Sequence, residues 1–147
     1  MEFSVQHLFG ESGFGVVANY TMVNTDNEYD DFILESQVAE TNISDTANFI
    51  AFYDKEGFQA RIAYNWRDDF LAQTFQGTGG NPTYTEAYQQ IDFNVSYDIP
   101  QVEGLAVFFE GINITNEYTR QHGRASYQVL NVTQQGARYA LGARYNF

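Results

Sequence analysis

Apolar and polar residues alternate one by one along much of this chain, and most strictly at its end. From Arg138 to Phe147 one parity holds Tyr139, Leu141, Ala143, Tyr145 and Phe147, the other Arg138, Ala140, Gly142, Arg144 and Asn146. A period of two with one apolar and one wet face predicts a β-strand. By itself this segment also suits a soluble antiparallel strand with one buried face.

The same period marks about seven strand-like runs, near 2–9, 14–24, 48–55, 58–67, 87–99, 105–115 and 138–147, each bounded by turn or loop residues. Their connections alternate in length. Gly10-Glu-Ser-Gly13, Lys55-Glu-Gly57 and Pro100-Gln-Val-Glu-Gly104 have the composition of tight turns. Long polar stretches near 25–47, 68–86 and 116–137 separate them, and loops of that length are uncommon in compact domains unless they carry function. A short-long rhythm is the mark of a bacterial outer-membrane barrel, with periplasmic turns at one rim and extracellular loops at the other. The fold class expected is all-β: an antiparallel up-and-down meander of about seven strands, part of a larger transmembrane β-barrel.

The two faces of the runs differ as a barrel wall requires. Phe58, Ala60, Ile62, Tyr64 and Trp66 oppose Gln59, Arg61, Ala63, Asn65 and Arg67; Ile91, Phe93, Val95 and Tyr97 oppose Gln90, Asp92, Asn94, Ser96 and Asp98. The second face is too polar for a sandwich core and suits a hydrated lumen. Arg61 and Asp92 fall on one side of adjacent strands, so an ion pair between them is expected. The run 105–115 has apolar residues on both parities, which predicts a bulge near Gly111 or a wall packed on both sides. Aromatics divide into two belts. Phe9, Phe14, Tyr53, Phe58, Tyr97, Tyr145 and Phe147 fall near the short turns; Phe3, Tyr20, Phe49, Trp66, Tyr88 and Tyr139 fall toward the long loops.

Composition narrows the classes. Aromatics make up 17% of 147 residues, yet mean hydropathy is −0.40 and no apolar run nears the ~20 residues of a membrane helix. A net charge of −12 argues against nucleic acid, whose phosphates demand Lys and Arg. With no cysteine there is no disulfide, thiolate nucleophile or cysteine metal site. The opening residues lack the basic and apolar regions of a secretory signal, so the chain reads as cytosolic or as the downstream piece of something longer.

The closing Gly136-Ala-Arg-Tyr-Ala-Leu-Gly-Ala-Arg-Tyr-Asn-Phe147, preceded by Phe109-Glu-Gly-Ile-Asn-Ile-Thr-Asn-Glu-Tyr118, resembles the C-terminal end of a TonB-dependent outer-membrane receptor. Phe52 to Arg67 resembles a hairpin such receptors carry a few strands earlier, and the likeness covers nearly the whole chain. The resemblance implies that 1–147 is the C-terminal segment of a barrel of about 22 strands, with plug domain and earlier strands absent. It further implies a cell outer membrane location in a Gram-negative bacterium and uptake of a siderophore, cobalamin or oligosaccharide. The implied partners are outer-membrane lipid, the barrel-assembly machinery and, only through the missing N-terminal part, TonB. Tyr139, Leu141, Tyr145 and Phe147 would form the C-terminal assembly signal, read along the strand edge.

Reactive chemistry is sparse, and neither enzymatic activity nor a cofactor is expected. His122, in Gln121-His-Gly-Arg124, and His7 have no evident partner. Gly77-Thr-Gly-Gly80 lacks the Lys-Ser or Lys-Thr of a phosphate loop. Asp26-Asn-Glu-Tyr-Asp-Asp31 lacks the turn Gly and closing Glu of a calcium loop and reads as a solvated surface segment. Asn42, Asn94, Asn113 and Asn131 begin glycosylation-type triplets to which no role is assigned. Two alternatives stay open: a soluble all-β carbohydrate-binding module, with Trp66, Tyr84 and Tyr88 stacking on sugar, and a small structural membrane barrel.

Overall fold

A computed structural model describes residues 1–27, 29–33, 35, 37–74 and 81–147. Eleven strands form among them, and no helix. Seven make one antiparallel sheet: β1 (Glu2–Leu8), β2 (Phe14–Thr21), β3 (Thr46–Lys55), β4 (Phe58–Arg67), β7 (Tyr88–Asp98), β8 (Leu105–Ile112) and β11 (Arg138–Tyr145). They lie side by side in chain order, and every pairing is antiparallel. These are the seven strands expected. The second and sixth stop earlier, at Thr21 and Ile112.

The structure departs from expectation inside the long connections. They contain β5 (Phe70–Gln73), β6 (Thr83–Thr85), β9 (Tyr118–His122) and β10 (Val129–Gln134), which form a second sheet in the order β10-β9-β6-β5. That order repeats β11-β8-β7-β4, the strands to which each is joined in sequence. The second sheet therefore prolongs the C-terminal half of the first past a break at Asp68–Asp69, Glu86–Ala87, Asn113–Glu117 and Gln135–Ala137. These strands are short, and the sequence alternation in them is interrupted, which is why they read as loop. The pairing of β6 with β9 skips two strands of the chain, whereas a purely sequential meander was expected.

Sharp turns hold the opposite rim. Glu56 and Gly57 both have positive φ, 53° and 76°, as a two-residue hairpin turn matching strand twist requires. The rim is stitched three times in the same way. The carbonyls of Gly13, Gly57 and Gly104, all at positive φ, accept N–H bonds of 2.9 Å from Asp54, Asp98 and Asn146. Pro100 and the C-terminus thus meet at this end, as expected.

Three glycines inside the sheet have a different cause. Gly15 faces Phe52, Gly111 faces Phe93 and Gly142 faces Phe108 across the ladder. In each pair the ring occupies the space a glycine Cβ would need, an aromatic shelter for a strand glycine. The bulge expected near Gly111 is absent. The register runs unbroken through it on both sides, and a cross-strand ring rather than an extra residue explains the glycine.

Candidate functional site

The most extensive candidate feature is a whole sheet face. Cross-strand register places on it Phe3 and Val5 of β1; Phe14, Val16, Ala18 and Tyr20 of β2; Ala47, Phe49, Ala51 and Tyr53 of β3. It continues with Phe58 to Trp66, Ile91 to Tyr97, Leu105 to Phe109 and Tyr139 to Tyr145, taking alternate residues. Among the described residues no other strand packs on this face: the substantial contacts of each strand are with its hydrogen-bonded neighbours. Val5 is 63% exposed, Ile62 47% and Leu141 81%. On the longest run, Phe58 to Trp66, the band extends about 27 Å along the strand at ~3.3 Å per residue.

Rings cross one end of this band as an unbroken row. Phe14 meets Tyr53 at 4.6 Å, Tyr53 meets Phe58 at 5.9 Å and Phe58 meets Tyr97 at 6.5 Å. These are the residues expected in the belt near the short turns. The opposite belt is less complete: Tyr88 is directly across from Arg67 on the other face and donates its hydroxyl to Gln90.

The reverse face is a polar ladder. Ser4, Asn19, Asn48, Asn65 and Gln90 stand in one row across five strands. Ser4 donates to Asn19 at 2.7 Å, Asn48 to Asn65 at 2.5 Å and Gln90 to Asp92 at 2.7 Å. The two buried apolar residues of the wall strands, Ala63 and Ala106, also lie on this side, and both are small. The expected ion pair between Arg61 and Asp92 does not form. The two side chains line a cavity of about 210 Å³ together with Glu110, and Asp92 is taken up by Gln90 and by the main-chain N–H of Asn113.

Asn113, to which the sequence reading assigned no role, has a structural one. It is 3% exposed and adopts φ 53° at the point where β8 leaves the wall. Its side-chain amide donates to the Glu117 carbonyl and its oxygen accepts the Glu117 N–H, each at 2.9 Å. Asn116, at φ 56°, bonds back to the Asn113 carbonyl. The Asn-Ile-Thr-Asn stretch is therefore a corner that turns the wall strand into β9. Two asparagines three apart, the residue type that tolerates left-handed backbone, were the available signal.

The long connections converge on Tyr84. Its ring stacks on His122 at 5.4 Å, and its hydroxyl donates to Asp31 at 2.9 Å, so segments from three connections meet here. Burial, reinforced by the bond to Asp31, pushes the Tyr84 phenol well above its ordinary pKa. Burial and the neighbouring Asp68 raise Asp69. The Asn42 N–H donates to the Leu71 carbonyl at 2.9 Å, and the Asp45 carboxylate accepts from Tyr20 and from the Val23 N–H. Arg120 pairs with Glu86, the only ion pair among the described residues.

The remaining sequence expectations fall as follows. Tyr139, Leu141, Tyr145 and Phe147 lie together on the apolar side of β11 and its tail, Tyr139 stacked on Phe109 and Tyr145 beside Phe147. Trp66 and Tyr88 lie on opposite faces of the wall sheet, and Tyr84 belongs to the second sheet. Within the acidic run 26–31, Asp31 is drawn into the Tyr84 cluster rather than left solvated, and no group of three candidate metal ligands occurs among the described residues. His122 is tied by its Nδ1 to the Gly123 carbonyl. Gly77 to Gly80 lie outside the described residues.

Comparison with protein-family models, with curated proteins and with solved structures gave no match to this chain.

Proposed function

We propose that this chain is part of the wall of a transmembrane β-barrel in the outer membrane of a Gram-negative bacterium, and specifically the C-terminal barrel segment of a TonB-dependent receptor for nutrient uptake. The observation that carries the membrane reading is the seven-stranded sheet with one apolar face, on which no other strand packs among the described residues. Apolar patches on soluble monomers seldom exceed a few hundred Å², whereas lipid covers such a face, and the run from Phe58 to Trp66 with its bordering rings has about the length a tilted barrel strand needs to cross the hydrocarbon core. The polar ladder behind it suits a hydrated lumen. Because β1 and β11 run in the same direction, a closed wall of alternating strands needs an odd number of further strands; open edges in lipid would leave unpaired backbone groups costing several kcal/mol each. The receptor assignment rests on the closing strand and the Asn113 to Tyr118 motif. It implies lipid and the barrel-assembly machinery as partners, and TonB through a segment outside this chain.

Trp66, the one tryptophan, stands on the apolar face near its loop-side border and serves as a native depth probe. In vesicles its emission should shift to the blue and be quenched most by lipids brominated near the carbonyl end of the acyl chain. A monodisperse soluble monomer with no quenching by any brominated lipid would refute the membrane reading.

A further inference from the structure

The apolar face is not flat. Across β2, β3, β4 and β7 the register sets two neighbouring rows, Val16–Ala51–Ile62–Phe93 and Phe14–Tyr53–Ala60–Val95. The small side chains of Ala51 and Ala60 fall diagonally beside each other in the middle. They leave a trough of about 430 Å³ between the Phe14 and Tyr53 rings on one side and Ile62 and Phe93 on the other. A smaller trough of about 130 Å³, toward Val107 and Leu141, meets the first at Val95. At the short-turn rim the larger trough ends on Phe9 and Phe14, whose main chains bond at 3.0 Å where the β1–β2 turn closes. Lys55, the one lysine of the chain, follows Tyr53 on the same parity of β3. Its Nζ donates to the Glu11 carbonyl in that turn at 3.1 Å, which sets the ammonium beside the mouth of the trough. It makes no ion pair among the described residues.

We propose that the two troughs and Lys55 form a site for one diacyl phospholipid whose headgroup carries a phosphate and a primary ammonium. The acyl chains lie in the troughs and the phosphate on Lys55, one of whose three donors is used by Glu11. The site rests on the membrane reading and adds to it a particular lipid at a particular place. Charge complementarity selects the headgroup. Glu56, next to Lys55 in the chain, and Glu11 are exposed on either side of it, while Asp54 lies on the other parity and accepts from Gln59. A cation between two carboxylates is the complement of a phosphate beside an ammonium, and a headgroup with negative charge alone meets those carboxylates uncompensated. A primary ammonium can also donate hydrogen bonds to them, which a quaternary one cannot. The depth agrees. The ring row Phe14–Tyr53–Phe58 marks the border of the hydrocarbon, and a lysine stem carries its charge from there into the headgroup layer.

The test is native mass spectrometry of the full chain from neutral detergent micelles doped with graded phosphatidylethanolamine, which counts the lipids retained. One phosphatidylethanolamine should be retained saturably. Phosphatidylcholine and phosphatidylglycerol with the same acyl chains should need several-fold more lipid. Lys55→Gln should weaken retention roughly tenfold, the loss of one hydrogen bond to a charged group, and Lys55→Arg should preserve it. Ala60→Phe, which fills the trough and leaves the charges in place, should also weaken it. Ala47→Phe, on the same face across from Trp66, should leave it unchanged. Retention that never saturates, or that survives both Lys55→Gln and Ala60→Phe, would overturn the site. Equal retention of either other lipid would overturn the headgroup assignment. Trp66 quenching in vesicles reads the membrane assignment separately, so quenching without saturable retention sinks the lipid site alone.

Discussion

Replacing Asn113 by alanine tests whether the wall is joined to the loop sheet by a built corner. The side chain makes two 2.9 Å bonds to the Glu117 main chain in a site 3% exposed. Losing both should cost about 1–3 kcal/mol. The φ of 53° adds roughly 1 kcal/mol for a residue with a Cβ and no local hydrogen bond. The sum is about 2–4 kcal/mol for Asn113→Ala. Asn113→Gly removes the bonds but relaxes the backbone, so it should cost about 1 kcal/mol less than alanine. Urea unfolding in detergent micelles, followed by Trp66 emission, measures both. With a slope of roughly 2 kcal/mol/M the alanine midpoint should fall by about 1–2 M. If both variants unfold with the wild type, or if glycine is worse than alanine, the corner does not depend on these bonds and this φ.

Gly104→Ala should be among the most damaging glycine substitutions, since its Cβ would overlap the Asn146 carbonyl and φ is +80°; loss of the β8–β11 turn stitch should appear as lower folded yield, whereas Gly10→Ala, with nothing near its Cβ, should cost only backbone strain. Tyr20 first, then the Val23 N–H, hold the Asp45 carboxyl below its ordinary pKa, so its contribution is present above the unfolded value of about 3.9 and is lost as pH falls through the lower folded value. Asp45→Asn should therefore flatten the acid end of the stability profile measured by circular dichroism. Under the receptor reading, deleting Phe147 from a full-length receptor should sharply reduce heat-modifiable barrel in the outer membrane, while Phe9→Ala should cost mainly local anchoring; equal losses would leave anchoring as the only role of Phe147. Glu56→Asn should stabilise the β3–β4 hairpin by several tenths of a kcal/mol, because asparagine accepts φ 53° more readily, and an unchanged thermal midpoint would refute that account.

The period of two determined the wall: all seven long strands, their order, their two faces and the row of rings from Phe14 to Tyr97 follow from alternation and turn residues, which are local properties of the chain. Pairing between distant segments is not local. The union of β6 with β9 and the Asp31–Tyr84–His122 convergence depend on which connections meet in space, and short strands of mixed polarity carry no period to announce it. Asp92 shows the same divide. Its side of the sheet was legible in the sequence, but its partner was not, because Gln90 and the Asn113 main chain competed with Arg61 and lay closer. The glycines opposite Phe52, Phe93 and Phe108 were visible as letters; only the register, fixed by the whole ladder, showed that rings fill the space their side chains would have taken.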